Sequence, residues 1–285
     1  MRSFLFVPGD SLRKFESAKK TAADALILDL EDSIAPDEKI GTRRTVREML
    51  DARNPGQKVY VRVNALDTGM TLGDLAAVIP GRPDGIVLPK CAGATDVNRL
   101  SLYLDAFEAA SNIEEGTTRI VTVATETARA VLKLLDFENM SPRLWGMMWG
   151  AEDLAASLGA SRNRTAGRFH GPFLLARDLC LISAAAAGVV AIDTIATDIN
   201  DLDALRDESI AARQDGFLAK AVIHPKHVDV VNAAFMPTDE EIAWSEKVVK
   251  AFNDNPASGV VKIDGKMIDK PHLRAAEKIL ALRPR

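Results

Sequence analysis

The chain alternates between short apolar runs and longer amphipathic segments over most of its length. The apolar runs are continuous and not interrupted by polar positions, which is typical of parallel strands that are buried on both faces. Eight runs predict strands at residues 4–7, 25–30, 59–63, 85–89, 120–124, 144–149, 189–195 and 218–223. Eight strands with helices between them close a (β/α)8 barrel, so the pattern predicts an α/β fold of the TIM barrel type.

The segments between these runs have the periodicity of helices that pack on a sheet. They predict helices at residues 13–23, 38–52, 95–110, 128–135, 172–187 and 201–214. Asp201 is a suitable N-cap for the last of these helices, because its carboxylate can accept a hydrogen bond from the first turn. Residues 67–79 form a shorter segment with a weaker helical pattern.

Polar side chains stand at the carboxyl ends of the predicted strands. In chain order they are Asp29, Glu31, Asp32, Arg62, Asn64, Lys90, Glu126, Glu152, Asp153, Asp193 and His224. In (β/α)8 enzymes this end of the barrel carries the catalytic residues. A doubly wound open sheet is the alternative fold, but it usually brings fewer strand ends to one site. No glycine-rich dinucleotide motif or Walker loop follows a predicted strand.

Two of these acids follow consecutive predicted strands. Glu126 comes directly after the run that begins at residue 119, and Asp153 follows the run that ends at Gly150. Two carboxylates placed in this way would coordinate a hard divalent cation between them. The alternative is that each acid complements the dipole at a helix N-terminus. For a single acid this alternative is the stronger one, whereas a pair on neighbouring strand ends supports a metal site equally well.

The pattern divides the chain into a barrel and an appendage. Residues 1–236 contain the predicted barrel, and residues 237–285 form a C-terminal extension. The extension predicts a helix at 238–252, a hairpin at 260–268 and a last helix that begins near Asp269. An appendage after a complete barrel commonly serves as a lid or as an oligomer contact.

Composition and charge exclude several classes of protein. The formal net charge of −4 gives no basic footprint for nucleic acid. Cys91 and Cys180 lie far apart in apolar surroundings, which predicts reduced core thiols and neither a disulfide nor a zinc site. The first eight residues lack the features of a signal peptide, and no run is long enough to span a membrane. We therefore expect a soluble, cytoplasmic protein without a nucleic-acid or membrane partner.

Eight short motifs occur in the order found in a known family. They are Phe-Val-Pro-Gly at 6–9, Leu-Asp-Leu-Glu-Asp-Ser at 28–33, Val-Arg-Val-Asn at 61–64, Gly-Ile-Val-Leu-Pro-Lys at 85–90, Thr-Glu-Thr at 125–127, Trp-Gly-Ala-Glu-Asp-Leu at 149–154, Ile-His-Pro at 223–225 and Gly-Lys-Met-Ile-Asp at 265–269. With these motifs the chain resembles the β-subunit of citrate lyase and its relatives, the malyl-CoA, methylmalyl-CoA and citramalyl-CoA lyases of the HpcH/HpaI aldolase superfamily. The resemblance covers nearly the whole chain.

This resemblance implies a magnesium-dependent barrel, with Mn²⁺ as an alternative metal, that makes or breaks a carbon–carbon bond between an acyl-CoA and a 2-oxo acid. Matched motif by motif, Glu126 and Asp153 would be the metal ligands. Arg62 would contact a substrate oxygen and help to stabilise an enolate. The backbone of Gly150 and Ala151 would receive the carboxylate of the oxo acid.

The last motif places Asp269 as a catalytic acid or base, often contributed by a neighbouring subunit. The resemblance therefore implies a homo-oligomer, either a trimer or a hexamer built from trimers. The local pattern alone favours another role for Asp269, that of a helix cap.

An acidic cluster, Asp29, Glu31 and Asp32, follows the second predicted strand. We interpret these three carboxylates as supporting groups that hold Arg62 or metal-bound water in place. The alternatives are that Arg62 is only an ion-pair partner of Asp29 or Glu31, and that Asp32 only shapes the loop. Lys90 also ends a strand and could bind a carboxylate or a phosphate. A lysine at a strand end is usually solvated, however, so we assign it no role in the site.

Two basic residues, Arg13 and Lys14, follow the Val-Pro-Gly motif. Relatives carry basic residues here to meet the phosphates of CoA, so the resemblance implies CoA binding at these positions. Ser17 stands where many relatives have lysine, a departure that leaves open a weaker or altered CoA site. Basic residues on a helix are equally typical of a solvated face.

The sequence therefore predicts a lyase that cleaves or forms a 3-hydroxyacyl-CoA such as malyl-, citramalyl- or citryl-CoA, with an acyl-CoA and a 2-oxo acid as the other partners. Some relatives also hydrolyse the thioester. The alternatives are a divalent-metal aldolase that acts on free 2-oxo acids, or a β-subunit that is active only within a citrate-lyase-type complex. No Ser-His-Asp or Cys-His order suggests a covalent nucleophile.

Overall fold

The structure, a computed structural model, describes residues 1–137 and 140–283. Eight strands form a closed barrel, and each lies within two residues of the ends that the apolar runs predict. The barrel strands are β1 (Ser3–Pro8), β2 (Ala25–Asp29), β3 (Lys58–Arg62), β4 (Gly85–Leu88), β5 (Arg119–Val123), β6 (Leu144–Met148), β9 (Val190–Asp193) and β10 (Ala219–Val222). The predicted (β/α)8 fold is thus confirmed.

The strands follow the order β1-β10-β9-β6-β5-β4-β3-β2 around the barrel. Every neighbouring pair is parallel, and β10 closes the barrel by pairing with β1. The register slips once, between Ile120 and Val121 where β5 meets β6. Because all eight strands run in one direction, their carboxyl ends meet at one end of the barrel.

Residues Met1–Asn232 form a first compact unit of the chain. Its helices are α1 (Leu12–Ala18), α2 (Lys39–Asp51), α3 (Thr71–Val78), α4 (Ala94–Ala110), α5 (Ala128–Leu132), α6 (Glu152–Leu158), α7 (Gly171–Ala186) and α8 (Leu202–Asp215). The helix α9 (Pro225–Ala234) follows β10. The six predicted helices are present, although α1 and α5 are shorter than expected. Asp201 caps α8 as predicted, since its Oδ1 accepts a hydrogen bond of 2.9 Å from the amide of Ala204.

Three elements escaped prediction. They are α6, α9 and a small hairpin made of β7 (Arg164–Thr165) and β8 (Arg168–Phe169). The N-cap of α6 is Ala151, which has no side chain able to cap a helix, so the usual start signal is missing. The hairpin strands have two residues each, too few to show any periodicity.

The interior of the barrel is filled by apolar side chains. A core cluster contains Phe4, Ala25, Ile27, Tyr60, Val87, Val121, Val123, Met148, Ile192, Ala219 and Ala221. Phe4 and Tyr60 pack edge-to-face with ring centroids 5.5 Å apart, and Trp145 packs against both. The barrel is therefore a packed core and not a pore, which leaves its rim as the place for chemistry.

A second compact unit begins at Ala233. It contains α10 (Asp239–Asn253), the hairpin of β11 (Val260–Ile263) and β12 (Lys266–Asp269), and α11 (Lys270–Ala281). The helix, hairpin and helix of the extension are present as predicted. Thr238 and Glu241 form the capping box of α10, with hydrogen bonds of 2.8 and 3.2 Å. The unit has its own small core, made of Val248, Phe252, Val261, Ile263, Ile268 and Ala276.

Cys91 and Cys180 are buried free thiols, as their apolar surroundings predict. Burial raises the pKa of each to about 12, so neither is a reactive thiolate near neutral pH. Within the described part of the chain, no helix is both long and apolar enough to cross a bilayer.

Candidate active site

A cavity of about 240 Å³ opens at the carboxyl ends of the barrel strands. Its polar wall is formed by residues that follow several different strands, as expected for a barrel site. These residues are Asp29, Ser33, Arg62, Glu126, Glu152, Asp153 and Thr194, and the backbone of Gly150 and Ala151 lies among them. The structure thus brings the predicted metal-binding and substrate-binding residues of the barrel around one space.

Arg62 is fixed on the wall of this cavity by two acids and an aromatic ring. Its Nε and Nη2 donate to the two carboxylate oxygens of Asp29, each at 2.7 Å, and its Nη1 lies 3.1 Å from Glu31. The guanidinium also stacks over the ring of Phe6, 4.8 Å from the centroid. Burial opposes the charge on Arg62, but the Asp29 hydrogen bonds and the charges of Asp29 and Glu31 outweigh it and raise the pKa of Arg62.

The loop after β2 is built around the Asp29 carboxylate. Besides Arg62, this carboxylate accepts hydrogen bonds from the amides of Glu31 at 2.9 Å and Ser33 at 3.1 Å. Burial raises the pKa of Asp29, but these donors overcome that effect and hold its pKa below the usual range. Asp29 is therefore ionised near neutral pH, and its geometry supports the expected role of orienting Arg62.

Lys90 contradicts the expectation that it is solvated. Its Nζ is hydrogen-bonded to Glu31 and lies 3.2 Å from Asp32 and 3.5 Å from Asp153. Its backbone has a left-handed φ of 50°, and its amide donates to Oε2 of Glu126. The structure thus shows Lys90 bound to carboxylates, the possibility that the strand-end pattern disfavours. The available signal was the acidic cluster, which needs a cation to balance it.

Glu126 is almost fully buried, with 4% of its surface exposed. Burial is the main cause that raises the pKa of its carboxyl to about 8, and the charges of Glu31 and Asp153 add to the effect. The Lys90 amide and Arg62 oppose this shift only in part. Near neutral pH, Glu126 therefore takes up a proton unless another cation lies beside it.

The position of Asp153 is compatible with both of the interpretations that the sequence left open, and its role as a metal ligand stays a prediction. It lies in the first turn of α6, where an acid complements the helix dipole, and it also lines the cavity. Its side chain is 37% exposed and faces Lys90. The neighbouring Glu152 instead accepts a hydrogen bond of 2.8 Å from Asn163.

Gly150 packs tightly against Glu126. A Cβ at this position would lie 3.0 Å from Cγ of Glu126 and 3.2 Å from Cγ1 of Val123, so a side chain here would displace the acid. The amide of Gly150 donates to Oγ1 of Thr125 at 2.8 Å, which anchors the turn to the end of β5. Ala151 follows as a buried residue with 2% exposure.

A second cavity of about 490 Å³ adjoins the first one. Phe6, Pro8 and Ile223 line both cavities. The second cavity is also lined by Arg13, Lys14, Ser17 and His224. The two basic residues predicted to meet CoA phosphates thus lie on a groove next to the acidic cavity.

Asp269 belongs to the second unit and is the N-cap residue of α11. Its Oδ1 is 2.6 Å from Nδ1 of His272, and this hydrogen bond lowers the pKa of Asp269. The side chain is 53% exposed. The cap that the local pattern favours is therefore present, and the role implied by the family motif stays a prediction.

A model of the HpcH/HpaI aldolase/citrate lyase family matches residues 2–225. This chain belongs to that family. A (3S)-malyl-CoA thioesterase of Cereibacter sphaeroides (strain KD131 / KCTC 12085) is 34% identical to it over 98% of this chain and 93% of that protein. The citrate lyase subunit beta of Escherichia coli (strain K12) is also 34% identical, over 98% and 92% of the two chains.

The similar solved structures also belong to citrate-lyase-type proteins. CitE from Mycobacterium tuberculosis, in complex with magnesium, acetoacetate and coenzyme A, has a TM-score of 0.83 and 33% identity, covering 98% of this chain and 97% of that one. A citrate lyase beta subunit from the same organism, complexed with oxaloacetate and magnesium, has a TM-score of 0.71 and 32% identity over 82% and 96%. The family is one of enzymes, and its members here include a thioesterase as well as lyase subunits.

The donor set of this HpcH/HpaI family member fits magnesium better than a softer metal. Across residues 1–137 and 140–283, no group of three or more His, Cys, Asp or Glu side chains is arranged to hold an ion. Magnesium is usually bound by one or two carboxylates and keeps its other positions for water and substrate oxygens. Glu126 and Asp153 provide two carboxylates on the cavity wall, and the burial of Glu126 near Glu31 and Asp153, which raises its pKa, is compatible with a cation between them.

Proposed function

We propose that this chain is a magnesium-dependent carbon–carbon lyase, with Mn²⁺ as an alternative metal. Its substrate would be a 3-hydroxyacyl-CoA such as malyl-, citramalyl- or citryl-CoA, cleaved into, or formed from, an acyl-CoA and a 2-oxo acid. The observation that carries the proposal is the arrangement around one cavity of Glu126, Asp153 and Arg62, next to a groove lined by Arg13 and Lys14.

The acidic cavity would take the oxo-acid half of the substrate. Glu126 and Asp153 would hold the metal, which supplies Lewis-acid polarisation of the oxo-acid carbonyl. The turn at Gly150 and Ala151 would face the carboxylate of the oxo acid. The hydrogen bond from the Gly150 amide to Thr125 holds this turn in position. Lys90 would keep the acids in place by pairing with Glu31 and Asp153.

Arg62 would act on the acyl-CoA half. In cleavage, the substrate hydroxyl would give its proton to Asp269, and its oxygen would become the carbonyl of the 2-oxo acid. The bond between C2 and C3 would break, and its electron pair would move onto the thioester oxygen as an enolate. A guanidinium that Asp29 and Phe6 already hold in place can stabilise this charge without reorganising. The enolate then takes up a proton at carbon to give the acyl-CoA, and Asp269 is the proposed proton carrier.

The adjoining groove would bind the CoA moiety. Arg13 and Lys14 supply two positive charges on an exposed helix face, where phosphates would remain partly hydrated. Ser17 also lines the groove and cannot add a third charge. We therefore expect CoA binding with fewer ionic contacts than a lysine at that position would provide.

A thioesterase is the second candidate function. It is favoured by the 34% identity to proteins named (3S)-malyl-CoA thioesterase. Hydrolysis would break the bond between the thioester carbonyl carbon and sulfur, with water adding its oxygen to the acid, and would release free CoA. The lyase reaction keeps that bond and releases an acyl-CoA. The products therefore distinguish the two reactions.

Two other possibilities follow from the family. A divalent-metal aldolase would act equally well on free 2-oxo acids, and a citrate-lyase-type β-subunit would show little activity until its partner subunits are added.

We propose a cytoplasmic homo-oligomer, a trimer or a hexamer, because an acid or base in the second unit of a neighbouring subunit requires such an assembly.

The deciding experiment is product analysis with a panel of 3-hydroxyacyl-CoA esters, with magnesium and with a chelator. We expect magnesium-dependent release of acetyl-CoA or propionyl-CoA from one ester. Release of free CoA without an oxo acid would instead establish the thioesterase. Turnover of free acids at the same rate would establish the aldolase. Activity that appears only with added acyl-carrier and transferase subunits would establish the complex-bound subunit.

A further inference from the structure

A fully buried lysine lies outside the cavity, on the barrel wall. Lys220 of β10 has 0% exposure, and its Nζ is 2.6 Å from Oδ2 of Asp193 on β9. Its neighbours Ala219 and Ala221 face the interior core, so Lys220 points to the outer face of the strand. Apolar residues usually stabilise such a place at least as well as a buried ion pair does.

The other oxygen of Asp193 has a specific partner. Oδ1 accepts a hydrogen bond of 2.6 Å from the indole Nε1 of Trp149, which is 1% exposed. Trp149 comes directly after β6 and directly before Gly150, the first residue of the turn that leads to Asp153. Lys220 thus orients Asp193, and Asp193 holds the residue from which the candidate metal-binding loop begins.

A series of further contacts leads from Trp149 back to Lys220. The ring of Phe169 on β8 packs edge-to-face against Trp149, with centroids 5.0 Å apart. The guanidinium of Arg164 lies 4.0 Å from the centroid of Phe169, and its Nη1 donates to Glu208 of α8 at 2.9 Å. Glu208 Oε2 is in turn 4.0 Å from Nζ of Lys220.

Neither member of the ion pair lines the cavity, whereas Trp149 and Thr194, the residue after Asp193, both do. A second cation, Arg177 of α7, lies 3.9 Å from Asp193. Asp193 and Lys220 are therefore connected to the cavity through Trp149 and do not line it themselves.

We propose that Asp193 and Lys220 are positioning residues, which hold Trp149 by its indole N–H and thereby set the position of the turn that carries Gly150 and Asp153. The inference rests on the proposed metal site at Glu126 and Asp153. Groups that orient metal ligands through such outer contacts commonly change metal affinity about 10- to 100-fold when they are removed. The indole hydrogen bond fixes the position of Trp149, from which the turn to Asp153 begins. Packing of the indole against its neighbours does not fix that position by itself.

The test compares two tryptophans on the same stretch of chain. Trp149→Phe removes the N–H donor but keeps an aromatic ring against Phe169. The matched control is Trp145→Phe, because Trp145 packs against Phe4 and Tyr60 in the barrel interior. Binding of Mn²⁺ to the full-length protein is measured from the electron paramagnetic resonance signal of the free ion, without any substrate.

Trp149→Phe is expected to raise the dissociation constant for Mn²⁺ at least about tenfold, and Trp145→Phe is expected to leave it unchanged. Asp193→Asn should shift the indole N–H resonance of Trp149 in ¹⁵N-labelled protein and leave those of Trp145 and Trp244 in place. Lys220→Met should weaken Mn²⁺ binding in the same direction, and it decides the question if Trp149→Phe does not fold.

Two outcomes would overturn the inference in different ways. If the wild-type protein binds Mn²⁺ and Trp149→Phe binds it equally well, the positioning role is wrong and the metal site stands. Equal weakening by Trp149→Phe and Trp145→Phe would likewise show a general loss of packing. If the wild-type protein binds no Mn²⁺, the proposed metal site itself is wrong and the positioning role falls with it.

Discussion

Arg62 and Asp29 are joined by two parallel hydrogen bonds of 2.7 Å, from Nε and Nη2 to the two carboxylate oxygens. Such a fork fixes both the position and the plane of the guanidinium, which a single contact to a lysine cannot do. The geometry around the cavity therefore depends on the shape of the arginine as well as on its charge.

Arg62→Lys should retain the positive charge and still lose most of the activity. We expect kcat for the ester that the wild-type protein cleaves to fall by about 10²-fold or more, as when one donor to a developing oxyanion is removed. The control is Arg44→Lys, since Arg44 is 88% exposed and pairs with Glu48 on the surface. An unchanged kcat in Arg62→Lys would show that charge alone is sufficient.

Metal-free protein should lose stability as the pH rises from about 4.5 to 8. The folded-state pKa of Glu126, about 8, lies above its ordinary value of 4.5, so the folded state binds more protons than the unfolded state in this window. Stability therefore falls with increasing pH there, and the loss is complete above pH 8. Thermal unfolding in a chelator should show this slope in the wild-type protein.

The matched variant for this prediction is Glu126→Gln. Its amide has the shape of the protonated acid but does not titrate, so the slope between pH 4.5 and 8 should become shallower. Added Mg²⁺ should raise the unfolding temperature of the wild-type protein and leave that of the variant unchanged. Equal stabilisation of both proteins by Mg²⁺ would contradict the assignment of Glu126 as a ligand. For the second carboxylate of the proposed metal site, Asp153→Asn should abolish metal-dependent turnover and leave the barrel folded.

A buried ion pair away from the cavity should matter for folding only. Glu108 is fully buried, and it binds the guanidinium of Arg143 and the amides of Gly116 and Thr118. Glu108→Gln removes one of the two carboxylates that contact Arg143 and leaves it with Asp105, so the free energy of unfolding should fall by about 1–3 kcal/mol. Urea unfolding measures the change.

The exposed pair of Arg44 and Glu48 provides the control, because Glu48→Gln should change the free energy of unfolding by less than about 1 kcal/mol. Burial opposes the ionisation of Glu108, but Arg143 and the amide donors lower its pKa. Its contribution to stability is therefore complete above about pH 4.5 and is lost as the pH falls through the lowered pKa. Equal effects of Glu108→Gln and Glu48→Gln would show that the buried pair is not needed.

Asp269→Asn should remove turnover while leaving the binding of magnesium and oxo acid largely intact. If a neighbouring subunit supplies this residue, co-expressing Asp269→Asn with Arg62→Lys should restore part of the activity, because mixed oligomers contain sites with both wild-type groups. Activity assays on the separate and mixed variants test this. Loss of oxo-acid binding in Asp269→Asn would show a structural role, and a mixture that stays inactive would argue against a contribution in trans.

The sequence predicts the barrel well because its strands are buried on both faces and therefore appear as continuous apolar runs. It also predicts which end of the barrel carries the site, since parallel strands bring their carboxyl ends together. Glu126 and Arg62 could be singled out on that basis, and both line the cavity. The smaller elements carry no comparable signal, as the uncapped start of α6 and the two-residue strands of the hairpin show.

The partners of charged residues could not be predicted from their spacing. Lys90 stands alone in the sequence, and its pairing with Glu31, Asp32 and Asp153 depends on contacts across 58 or more positions of the chain. Asp193 was noted as a strand-end acid, but only the structure shows that it faces away from the cavity and towards Lys220. Long-range contacts of this kind leave no periodicity in the sequence.

Phe6 contacts both halves of the site, since its ring stacks on Arg62 and also forms part of the wall shared by the two cavities. A substrate that extends from one cavity into the other must pass this ring. Redesign of the enzyme for bulkier acyl groups would start by making the residue at this position smaller. The same change would remove the aromatic face that covers the guanidinium, which only Asp29 and Glu31 would then hold. A wider substrate range is therefore expected to lower the turnover number at this one position.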